Sequence, residues 1–133
     1  MAMNFTVILF SRQHFGADRD AFARGEFSQV PFVGLTKDYS FDCPNVNASE
    51  TGFLLFQSRG VQWPPNVLQI NGVDVYGGLP VTPSGGWAGN IMLVEPHHQL
   101  KATGNVLHIE ARSYEGDIND FILDNIVIVY KTP

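Results

Sequence analysis

Residues 100–131, LKATGNVLHIEARSYEGDINDFILDNIVIVYK, decide how the rest of the chain is read. Leu107, Ile109 and Ala111 fall on one face of a strand, and Val106, His108, Glu110 and Arg112 fall on the other. The reason is that successive side chains of a strand point to opposite faces. After an acidic loop come Phe121-Ile122-Leu123 and then Ile126-Val127-Ile128-Val129-Tyr130, a run too densely apolar for a strand with one wet face. Short runs of this kind, rich in β-branched residues, fit a strand covered on both sides. The two strands therefore predict the centre of an all-β fold, an antiparallel β-sandwich whose two sheets the remaining chain completes.

Outward from this stretch, residues 5–10, 35–41, 52–61 and 90–94 are further strand candidates. Trp63-Pro64-Pro65 closes the third of them, since proline cannot donate to a ladder. Asn71-Gly72 stands between alternating residues and is a strong hairpin signal. Residues 13–32 carry Phe15, Phe22, Phe27 and Phe32 at no sustained helical spacing, so an irregular connection pinned by phenylalanines is expected. Asn66-Val67-Leu68-Gln69-Ile70 and Asn105-Val106-Leu107-His108-Ile109 share one pattern, an Asn followed by apolar alternation at the start of a strand. Turn signals at this spacing suit a sandwich. The long glycine- and proline-rich crossing, residues 77–89, suits a jelly-roll connection.

Composition sets the outer bounds. The 133 residues form one domain, 1–133, and 44% are hydrophobic, enough for a core and too many for a disordered chain. The net charge is −5, and the eight Lys and Arg residues do not cluster, which argues against nucleic acid or an anionic membrane as the main partner. Cys43 is the single cysteine, so no internal disulfide exists. Residues 1–16 lack a basic n-region, and no stretch has the length of a membrane span. The default expectation is a cytoplasmic protein, and non-classical release would leave the same sequence.

The pattern VLQINGVDVYGG … WAGNIMLV … LKATGNVLHIEAR … DFILDNIVIVY resembles galactose-binding-domain-like jelly rolls. That family includes the sugar-binding domains of β-galactosidase-type hydrolases and many carbohydrate-binding modules. Val67, Leu68, Ile70, Asn71, Gly72, Leu100, Gly104, Asn105, Leu107 and Ile109 carry the resemblance. It implies the jelly-roll fold and a lectin-like function. Its sugar contacts lie on variable loops, so it assigns no contact residue here. The whole chain also looks like small bacterial β-sandwich proteins.

Sugars need a flat aromatic ring with planar polar groups beside it. Trp87 in the glycine-rich crossing, Asn90 just after it, Tyr76 and Trp63 are the candidates, and Arg59, Arg112 and Asp120 are expected to line a polar patch. Asp117, Asn119, Asp120 and Asp124 place oxygen ligands close together in the acidic loop, a weak candidate Ca²⁺ site. The terminal glutamate and glycine of an EF-hand loop are absent, so no cofactor is expected. Cys43 has no evident catalytic partner, and neither a Gly-x-Ser-x-Gly elbow nor a phosphate-binding loop occurs. An enzyme is not expected. A non-catalytic module that binds carbohydrate comes first. A structural module that assembles with itself or another protein is the alternative.

Overall fold

A computed structural model describes residues 1–64 and 66–133, so Pro65 of the strand-closing Trp63-Pro64-Pro65 lies outside the described residues. The chain forms β1 (Ala2–Leu9), β2 (Gln13–Phe15), β3 (Phe32–Gly34), β4 (Thr36–Phe41), β5 (Gly52–Arg59) and β6 (Val67–Ile70). It continues with β7 (Val73–Asp74), β8 (Trp87–Val94), β9 (Asn105–Glu110), β10 (Ser113–Tyr114), β11 (Asp117–Ile118) and β12 (Phe121–Thr132). A single 3-10 turn, Pro96–His98, is the only helical element among the described residues. No helix there is long and apolar enough to cross a membrane. The fold is all-β, built as a β-sandwich of antiparallel sheets.

One main sheet runs β3-β2-β12-β5-β8, with β1 also paired to β12; the second runs β4-β9-β6-β7, and β10-β11 form a separate two-stranded ribbon. The two strands of the deciding stretch are thus not partners. Each is an inner strand of its own sheet, β12 in the first and β9 in the second. Between them lies the core: Leu54, Phe56 and Met92 from one side meet Leu68, Ile70, Leu107 and Ile109 from the other. In β9 the predicted alternation holds, with Leu107 and Ile109 buried and Val106, His108 and Glu110 partly open. The connection through residues 16–31 is a chain of turns, from Ala21 N–H to the Asp18 carbonyl and from Ala23 N–H to the Asp20 carbonyl. It ends in a short parallel pairing of β2 with β3, an exception to the antiparallel rule.

Two features of the sequence acquire a physical reason. Asn71 and Gly72 both take positive φ, 52° and 80°, which is what a two-residue hairpin turn between β6 and β7 requires. The paired Asn-Val-Leu-x-Ile segments become antiparallel neighbours, and their asparagines act as internal staples. Asn105 accepts from the Lys101 N–H and donates to the Phe41 carbonyl. Asn66 accepts from the Arg112 N–H. Such bonds satisfy backbone groups that burial would otherwise leave unpaired.

One expectation needs correction. Phe121, Ile122 and Leu123 are buried on both faces, but the rest of β12 is not. Beyond a bulge at Asn125 (φ 51°), Ile126, Ile128 and Tyr130 point into the core while Val127 and Val129 stay only partly buried on the outer face.

Candidate functional site

The aromatic and polar residues singled out from sequence do not gather in one place. Trp87 is not in a loop: it opens β8 opposite Arg59 of β5. Its ring packs edge-on to Phe27 at 6.0 Å between centroids, under the Arg12 guanidinium at 5.0 Å. Arg59 lies over the other partner, Phe27, at 4.8 Å. Trp87 and Arg59 therefore hold the 16–31 connection onto the sheet. Asn90 is largely buried, and its side-chain amide donates to Ser58 Oγ at 2.8 Å. The indole N–H of Trp63 is the only buried side-chain polar atom without a partner among the described residues. Its ring tilts against Tyr114 at 6.1 Å.

The acidic loop also disperses. Glu115 and Gly116 form the tight turn of the β10–β11 hairpin, with φ of 51° and 88°. Asp117 is exposed in that hairpin. The buried Asn119 spends its side-chain oxygen on the Gln62 N–H and its amide on the Gly60 carbonyl. Asp120 is taken by His14 at 2.8 Å and Asp124 by Arg12 at 3.4 Å. Of the four candidate Ca²⁺ ligands, Asn119, Asp120 and Asp124 are thus each engaged by different partners, and Asp117 stands exposed in the hairpin. No group of three or more His, Cys, Asp or Glu side chains suited to a metal ion occurs among the described residues.

Two candidates do converge. Tyr76, 89% exposed, and Arg112 line a depression of about 530 Å³ at the β6–β7 end of the second sheet. Asn66, Gln69 and Asp74 add planar polar groups to its wall, and Gly77 and Gly78 form part of its rim. Asn66 positions the Arg112 backbone, and Glu110 holds Arg112 Nε at 3.0 Å. This arrangement follows from pairing. Asp38, His108, Gln69 and Asp74 are cross-strand partners in turn, a polar row spanning the sheet. His108 bonds Asp38 at 2.5 Å and Glu110 at 3.3 Å. The hydrogen bond that His108 donates to Asp38 foremost, with the one to Glu110 adding to it, raises the His108 pKa above its ordinary 6.5. Arg112, with His108 behind it, lowers that of Glu110. The other histidines lie apart from this row. The rings of His97 and His98 lie 4.4 Å apart, tilted by 33°, and His98 is buried. Burial, with Asp42 adding to it, pushes the Cys43 thiol up to about 12, far from the thiolate that nucleophilic chemistry needs.

The opposite face of the molecule has the reverse character. Val7, Val127, Leu55 and Ile91 form one cross-strand row over β1, β12, β5 and β8, and Phe5, Val129, Phe53 and Leu93 form the next. Met3 extends the patch on β1. Phe5 is 63% exposed and Ile91 72%. In β12 the sequence carried a signal for this patch, since residues 126–130 are apolar at both parities. Reading that run as covered on both faces concealed it.

No protein-family model, no curated protein and no solved structure matches this chain.

Proposed function

We propose that this chain is a non-catalytic β-sandwich that works by assembly, pairing with a second copy through the outer face of β1, β12, β5 and β8. The two apolar rows carry this reading. With Met3, their side chains present on the order of 600 Å² of apolar surface, at the top of the range for the largest patch on a monomer. With a rim that includes Gln57 and Lys131, the face approaches the roughly 800 Å² per partner of a standard interface. A two-fold axis lying in the interface plane, parallel to the sheet, sets this face on itself. No charged residue stands in either row, so two copies meet without like-charge repulsion. The test is molar mass in solution. The unmodified chain is expected to be dimeric at micromolar concentration. Ile91→Lys is expected to be monomeric and folded, because the side chain already faces water, and to melt at the temperature the unmodified chain approaches on dilution. A monomeric unmodified chain, or a dimeric variant, overturns the proposal.

A second reading rests on a separate observation, the exposed Tyr76 ring beside the depression that Arg112, Gln69 and Asp74 line. A pyranose stacked on Tyr76 would meet planar polar groups on the adjoining wall. The resemblance to galactose-binding-domain-like jelly rolls supports this reading. One aromatic platform contributes only a few kcal/mol, so affinity on the order of millimolar to micromolar is expected. In a sugar titration, Tyr76→Ala is expected to abolish binding without moving the melt. Binding that survives the substitution removes this site.

A further inference from the structure

A smaller cavity lies at the other end of the fold, where the 16–31 connection closes over β2 and β3. It measures about 300 Å³, and His14, Arg19, Phe22, Phe27, Ser28 and Phe32 are among its lining residues. His14 is 2% exposed and is fixed on several sides. Its ring stands edge-on to Phe22 at 4.7 Å and to Phe32 at 4.8 Å. Its Nε2 lies 2.8 Å from Asp120 Oδ1. The same oxygen accepts the Asp18 N–H at 3.2 Å. Gly16 makes room for this carboxylate, since a Cβ there would sit 2.0 Å from Asp120 Oδ1. Asp120 Oδ1 thus serves as an acceptor, so an imidazole with a single hydrogen holds it on Nε2 and leaves a lone pair on Nδ1.

That lone pair has no partner in the protein among the described residues. It is not sealed in either, because Trp63 Nε1 is the only buried side-chain nitrogen or oxygen lacking a partner there. The opening available to so buried a ring is the cavity it lines. The site therefore sets a rigidly held acceptor beside three phenylalanine rings, with Asp20 and Ser28 also on its wall. Its volume is at the lower end for small-ligand pockets. Arg19 closes over Phe32 at 5.1 Å and adds a cation near the mouth.

We propose that this cavity binds a small phenol, its ring against Phe22, Phe27 and Phe32 and its hydroxyl donating to His14 Nδ1. Recognition is by shape and by that one bond. An aromatic ring without a donor gains the apolar contacts only, and a carboxylate in the same place would oppose the lone pair.

The test uses the whole chain with p-cresol and toluene as probes, followed by nuclear magnetic resonance with imidazole nitrogens observed. p-Cresol is expected to shift the Nδ1 resonance of His14 and to bind about five- to tenfold more tightly than toluene, the effect of one added hydrogen bond. His14→Phe, if folded by its melt and spectrum, is expected to lose this preference. Should that variant fail to fold, the comparison of the two probes on the unmodified chain decides. Equal binding of both probes overturns the proposal. So does absence of binding up to the solubility limit, or p-cresol shifts confined to residues outside the cavity, such as Tyr76. A folded His14→Phe that keeps the preference overturns it as well.

Discussion

Trp87 shows how one residue can be misread. A tryptophan after two glycines has the appearance of a ligand platform, yet its ring is engaged by Phe27 and Arg12. Trp87→Ala should lower stability by about 1–3 kcal/mol in denaturant melts, less than for a fully buried aromatic because one side of the ring is open. His108 makes a second residue-scale prediction. Its folded pKa lies above 6.5, so the stabilisation it contributes is full below pH 6.5 and is lost as pH rises through the raised value. Glu110 behaves oppositely: its folded pKa lies below 4.5, so its contribution is present above pH 4.5 and is lost as pH falls through the lowered value. The two contributions coincide between pH 4.5 and 6.5. Unfolding midpoints measured over a pH series should fall on the alkaline side for the unmodified chain, and His108→Gln should flatten that fall.

At the level of elements, the inner strands were the legible part. Alternation in β9 named its buried face, and Asn71-Gly72 named a turn that permits one geometry. Leu107→Ala is expected to cost about 2–5 kcal/mol in denaturant melts, as a large truncation at a fully buried position. What periodicity could not supply was partnership. An apolar residue on the second face of a strand reads the same whether a sheet of its own chain covers it or nothing does, which is why Val127 and Val129 looked buried. Side chains that meet only through tertiary packing were equally hidden. His14 and Asp120 are far apart in sequence, and neither neighbourhood announces the other. Tyr76 and Arg112 were each legible as candidates, but the depression joining them depends on the antiparallel pairing of β6 with β9.

Seen whole, the molecule has two unlike outer faces, a polar one on β4, β9, β6 and β7 and an apolar one on β1, β12, β5 and β8. Assembly through the second face links folding to mass action, so the unmodified chain should melt at higher temperature as its concentration rises while Ile91→Lys should not. The position of β12 has a consequence of another kind. β1, β2 and β5 join in the first sheet only through β12, whose one edge β2 and β1 share on either side of the Asn125 bulge. Yet β12 is made after all of them. A nascent chain halted before residue 121 holds those strands with an open gap between them, and their unpaired edges invite strands from other chains. Ribosomal pausing just before β12 is then the moment of greatest danger, and a holdase that shields the gap would raise yield more than one that acts on the folded domain.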